Sequence, residues 1–289
     1  MTRFDDQAAS LRRLSLGNAL SASFAFLGGR ASGVTTLGAE LGSALGVTHG
    51  RRVLLLDGHA GQPLLRRFNL STSETLDTVL SQQLALDAAV SPLGGTINLL
   101  NGYARPSVLA ALSDVSAHRV QSEYLALTRD TEFVLIDAPT QTPLLAAVAG
   151  DIVLVLSPDQ DGLTETYTAV KYLVSEFGRR KFNVLVNRVH SLDEAQHWFS
   201  RLSTVASEYL PVSLRWVGYV PEDHWAKRAT VLKTTAVQSF DTSEIATAAN
   251  QLAHALPLWA TGSGVAHELF SRLCDAARLL EPDPSEIIV

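Results

Sequence analysis

Short apolar runs interleaved with stretches of helical periodicity constrain this chain more than any other feature in it. The runs fall at 23–27 (SFAFL), 52–56 (RVLLL), 96–100 (TINLL), 132–136 (EFVLI), 152–156 (IVLVL), 182–186 (FNVLV) and 214–219 (LRWVGY). Most are apolar at nearly every position, as strands are when a parallel sheet is covered on both faces. Helical patterns lie between them, over 35–46, 107–129 (one helix or two), 162–178, 191–209 and 241–256. In 162–178, Tyr167, Val170, Leu173, Val174 and Phe177 share one face. Strand and helix alternating at this spacing predict an α/β fold, a doubly wound and mostly parallel sheet flanked by helices.

Composition agrees with that fold and removes several functions. With 289 residues, 46% hydrophobic and 18% charged, the chain can bury a large core in one unit and does not read as disordered. A formal net charge of −6 attracts no polyanion, so direct nucleic-acid binding is not expected. The single cysteine, Cys274, permits no intrachain disulfide, and a reducing cytoplasm is the expected compartment. The opening "MTRFDDQAASLRRL" is polar and carries acids, unlike a signal peptide. The most apolar stretch, 142–158, is broken at Gly150 and Asp151, and reads as a helix followed by a buried strand rather than a membrane span.

The first apolar run leads into a glycine-rich turn, "FAFLGGRASGVTTLGAELGSAL", residues 24–45. Against the phosphate-loop pattern G-x-x-x-x-G-K-[ST] it supplies Gly28, Gly33, Val34 and Thr35. Glycines let the backbone approach phosphate oxygens, and the following helix aims free N–H groups at an anion. Thr35 would offer its hydroxyl to Mg²⁺, and Thr36 another to a phosphate. Two later runs end in aspartate, Asp57 in "RVLLLDG" and Asp137 in "EFVLIDAP". Carboxylates at the C-terminal edge of parallel strands lie where open α/β sheets bind ligands. With Thr35 they form a candidate Mg²⁺ corner and candidate catalytic pair; each could instead cap the turn that follows it.

The order of loop, "VLLLDG", "VLIDAP", "VLVLSPD" and "VLVNRV" resembles the deviant Walker-A ATPases related to MinD and ParA. Among these the chain is similar to the flagellar number and placement regulators called FlhG or FleN. The stretch 182–230 and the N-terminal "DQAASLR", residues 6–12, which matches the motif D-Q-A-x-x-L-R, carry that narrower likeness. The resemblance implies a P-loop NTPase fold that binds ATP and Mg²⁺, with Gly28, Gly29, Arg30, Gly33, Val34, Thr35, Thr36 and Asn187 around the nucleotide. Asn187 would read the adenine edge; a strand-end asparagine holding a turn is the other reading. It also implies a homodimer, an arm over 1–20, an α/β domain over 21–258, and a linker, amphipathic helix and acidic tail over 259–289.

The chain departs from the family's K-G-G-x-G-K-[ST] at both lysines: Gly29 and Val34 stand there. The usual D-x-D of the second strand is Asp57, Gly58, His59, so the second acid is missing. A charge-assisted hydrogen bond contributes about 1.5–3 kcal/mol, so one lost lysine weakens binding roughly ten- to a hundredfold. Hydrolysis suffers more, because positioned positive charge carries phosphoryl transfer. The expectation is a weak or inactive ATPase, with Asp57 and Asp137 vestigial as catalytic residues.

In the family the N-terminal motif docks on FlhF, a signal-recognition-type GTPase, and stimulates its hydrolysis. Gln7 would be central, with Asp6, Ala8, Leu11 and Arg12 shaping the contact; a short helix lying on the body, capped by Asp5 or Asp6, is the plainer reading. Such an activity needs no working phosphate loop. The last helix, near 265–280, puts Ala266, Leu269, Phe270, Leu273, Cys274, Ala277 and Leu280 on one face. Relatives use such a helix on membranes, but here the polar face is nearly neutral, which also suits packing on the core or a dimer contact. The leading expectation is a regulator of flagellar number or placement acting through an FlhF-type GTPase and a transcriptional activator. The alternatives are an ATP-driven dimerising switch with Arg30 supplying the missing charge, and a MinD-like factor in polysaccharide secretion.

Overall fold

The computed structural model describes residues 21–70, 74–141, 143–261 and 266–280; the D-Q-A-x-x-L-R motif and the acidic tail lie outside the described residues. Each apolar run becomes a strand: β1 (Ala22–Gly28), β2 (Val53–Asp57), β4 (Ile97–Asn101), β5 (Phe133–Asp137), β6 (Asp151–Leu156), β7 (Lys181–Val189) and β8 (Ser213–Pro221). One further strand, β3 (Val90–Gly94), has no apolar run. The sheet order is β3-β4-β2-β5-β1-β6-β7-β8, with every neighbouring pair parallel except β3 against β4. β3 contains Pro92, which an edge strand tolerates and an inner one does not.

The helices are α1 (Val34–Ser43), α2 (Pro63–Arg67), α3 (Leu76–Gln82), α4 (Pro106–Ala110), α5 (Asp114–Thr128), α6 (Leu144–Val148), α7 (Gln160–Phe177), α8 (Leu192–Tyr209), α9 (His224–Val231), α10 (Ala236–Ser239), α11 (Glu244–Ala255) and α12 (Leu269–Leu279). Side-chain caps mark several starts: Asp159, Ser191, Asp223 and Ser243 each accept an N–H from the first turn that follows. The two faces of the sheet carry separate cores. Phe24, Phe26, Leu55 and Leu135 pack with Leu37 and Leu41 of α1 and Leu252 of α11. Ala25, Leu27, Leu54 and Ile136 face Tyr124 of α5, Leu173 of α7 and Leu273 of α12.

The apolar face expected on the last helix is present, and the body covers it. Leu269, Phe270, Leu273, Cys274 and Ala277 are buried, with the Phe270 ring 6.4 Å from that of Tyr124. Each large apolar side chain so buried contributes about 1.5–3 kcal/mol, which holds α12 on the core. No helix among the described residues is long and apolar enough to cross a membrane.

α1 is tied to its surroundings by a buried ion pair. Glu40, fully buried on α1, meets Arg67 of α2 at 3.2 Å and accepts the N–H groups of Ala236 and Val237 at the start of α10.

Candidate phosphate-binding site

β1 lies where the strand order reverses, with β5 on one side and β6 on the other, so the C-terminal ends of these strands open into a crevice. The loop between β1 and α1, residues 29–33, sits there. Gly33 caps α1 at φ 85°, and a Cβ on it would come within 2.6 Å of Asn187 Nδ2. A Cβ on Gly28 would run into Ser32 and Val34 and meet the Val155 carbonyl. Ser32 is 2% exposed, yet its Oγ has no hydrogen-bond partner among the described residues. A tight backbone cradle containing a buried, unpaired hydroxyl fits a phosphate group.

Val34 borders this cradle with only a methyl group, its Cγ2 close to Gly28, and is otherwise in the core cluster with Leu37 and Phe26 at 9% exposed. Thr35 and Asp137 are together: the Thr35 hydroxyl donates to Asp137 Oδ2 at 2.6 Å. Strand register sets Asp57 beside Asp137 across the β2–β5 pair. Thr35 and Asp137 are hard oxygen donors that would hold Mg²⁺, and the ion would supply positive charge at the site. Asp57 is committed differently. Its Oδ1 and Oδ2 accept the N–H groups of His59 and Leu64, so it shapes the turn into α2, the capping alternative left open by the sequence.

His59 completes the corner, with Nε2 3.2 Å from Asp137 Oδ1. Burial lowers the pKa of His59, but its hydrogen bond to Asp137 and the charges of Asp137 and Asp57 outweigh this and raise it. Burial and the neighbouring Asp137 charge push Asp57 up to about 6. A carboxyl whose folded pKa exceeds its unfolded value of 3.8 adds stability below that value and loses it as pH rises through 6. Without nucleotide, the unfolding free energy of the wild type should therefore fall between pH 5 and 8 by about 1–1.5 kcal/mol more than that of Asp57→Asn. Urea unfolding at the two pH values measures this; equal slopes for both proteins contradict it.

On the other side of the loop, a cleft of about 210 Å³ is lined by Gly33, Thr36, Asn187, Arg188 and Asp223. Asn187 is buried and donates Nδ2–H to the Ser32 carbonyl at 2.7 Å, so its amide holds the loop. Arg188, at φ 65°, donates Nη1–H to the Ala31 carbonyl and Nε–H to Glu222. Burial raises the Glu222 pKa, but hydrogen bonds from Lys227 and Arg188 more than offset it and hold the carboxyl low. Arg30 is exposed, and its guanidinium has no partner among the described residues. Ser32, His59 and Arg188 were not expected at the site: Ser32 falls at a variable position of the loop, His59 stands where the family's second acid would be, and Arg188 belongs to no spacing motif. Among the described residues no group of three or more His, Cys, Asp or Glu is arranged to hold a metal by itself.

No protein-family model matches the chain. The chain is similar to the antiactivator FleN of Pseudomonas aeruginosa, 23% identical over 232 residues that span 78% of this chain and 82% of FleN. In structure it is similar to the septum site-determining protein MinD complexed with Mg-ADP from Pyrococcus horikoshii OT3. That likeness has TM-score 0.61 and 22% identity, and covers 85% of this chain and 99% of that one. The MinC:MinD cell division protein complex of Aquifex aeolicus gives TM-score 0.62 at 18% identity, over 82% of this chain and 96% of that one. The crossing point at β1, the cradle that follows it and these likenesses together give the chain the fold of the MinD/ParA-type P-loop ATPases, with FleN as a homologue.

Proposed function

We propose that this chain is a regulatory protein of the FlhG/FleN type that controls flagellar number or placement, with weak or no ATPase activity of its own. The observation that carries the reading is Val34: the cradle, Thr35 and Asp137 are assembled, but the position of the phosphate-binding lysine is an apolar side chain packed in the core. ATP and Mg²⁺ would bind weakly, through backbone donors, Thr35, Thr36 and Asp137, with Asn187 bordering the base cleft. The likeness to an antiactivator supports a partner-directed role, with a transcriptional activator as one target. The arm over 1–20 would dock on an FlhF-type GTPase through Asp6, Gln7, Ala8, Leu11 and Arg12. The body, 21–258, would present that arm, and 259–289 would return α12 to it. The chain would work in the cytoplasm. Its docked α12 supports packing over membrane contact in this state.

A second reading, an ATP-dependent homodimer in which Arg30 replaces the missing charge, is supported by the exposed guanidinium of Arg30. The main reading is tested by adding the full chain to an FlhF-type GTPase and following GTP hydrolysis and co-precipitation. Wild type should stimulate hydrolysis, and Gln7→Ala should lose at least tenfold of that stimulation while its melting temperature is unchanged. Equal stimulation by both proteins, or none by the wild type, refutes the role of the arm.

A further inference from the structure

One anion already sits in the loop. Gly162, in the first turn of α7, lies against Ser157 so closely that a Cβ there would collide with it; this brings α7 up to the end of β6. One turn on, Glu165 reaches the phosphate loop, where its Oε2 accepts the Arg30 N–H at 2.5 Å. A Cβ on Gly29 would collide with the Oε2 of this same carboxylate. A backbone N–H in a strand–loop–helix turn is the donor a phosphate oxygen takes. The loop thus has one donor occupied by an internal carboxylate and, beside Gly28, the buried Ser32 hydroxyl with no partner among the described residues.

We propose that Glu165 is an internal stand-in for phosphate: its carboxylate occupies the Arg30 amide and keeps the loop closed to phosphoryl groups until it swings away. The proposal rests on the loop being a nucleotide seat, as argued above, and adds how that seat is regulated. A carboxylate and a phosphate oxygen compete for one N–H. A phosphate beside an unmoved carboxylate also meets like-charge repulsion, with no lysine at 29 or 34 to offset it. Glu165 is only half-buried, and a side-chain rotation frees the amide without moving α7. Any partner that binds the Glu165 carboxylate would open the seat to nucleoside polyphosphates.

The test uses the full chain as wild type, Glu165→Ala and Glu165→Gln, with ATP and Mg²⁺ titrated by calorimetry and the Arg30 amide followed by ¹⁵N NMR. Melting temperatures verify that all three fold. Glu165→Ala should bind ATP about tenfold or more tightly, about 1.4 kcal/mol. Glu165→Gln, which keeps an acceptor oxygen but sheds the charge, should fall between them. The Arg30 amide should shift in Glu165→Ala without nucleotide, and in the wild type when ATP is added. Binding that is equal or weaker in both variants shows that Glu165 merely braces the loop and overturns the gate alone. No binding by any of the three, with the Arg30 amide unmoved by the substitution, overturns both the gate and the nucleotide seat.

Discussion

Glu40→Ala should destabilise the protein by about 3–5 kcal/mol, the usual effect of removing one partner from a buried ion pair. Glu40 is 0% exposed and Arg67 4% exposed, so neither charge can recover its loss from water. Burial raises the pKa of Glu40; the Ala236 and Val237 amides and Arg67 oppose that. Without Glu40, two buried N–H groups lose their acceptor, and among the described residues the Arg67 guanidinium keeps only the carbonyls of Ala229 and Thr234. Arg67→Ala should do similar damage by leaving a buried carboxylate without its counter-charge. The double variant should lose clearly less than the sum of the singles, because the unpaired charge that dominates each single is gone. It should not return to wild type, since the α10 amides still lack an acceptor. Urea unfolding of the four proteins measures this; additive losses would mean that the pair is not coupled.

The pair also illustrates what the sequence hid. The central strands were legible because burial on both faces leaves an unbroken apolar run, as in "FVLID" of β5. β3 was not, since an edge strand carrying Pro92 and Gly94, with half-exposed side chains, has neither alternation nor a run. The helices α2 and α3, five and seven residues long, are too short to show a helical period. The tight turn between β1 and α1 was legible from its glycine spacing, and Asp57 and Asp137 from their place at strand ends. Glu40 and Glu165 were not. An acid within a helix reads as part of a solvated face, and their partners lie 27 and 135 residues away along the chain. Only the fold brings them together.

Val34→Lys should raise ATP affinity ten- to a hundredfold, the second large effect expected of this chain. Val34 opens α1 next to the cradle, with its Cγ2 close to Gly28. A lysine there has four methylenes with which to leave the core and place its ammonium on the phosphates. The replaced valine contributes packing against Leu37 and Phe26, so the variant without nucleotide should be less stable by about 1 kcal/mol. The loss should be recovered on adding ATP, as binding to the native state alone requires.

A cradle that survives without its cationic clamp is put to the test by titrating wild type and Val34→Lys side by side with ATP and Mg²⁺. Weak binding by the wild type, near-absent turnover, and at least tenfold tighter binding by Val34→Lys are the predicted result. Tight binding and brisk hydrolysis by the wild type, with no gain from the lysine, would contradict it.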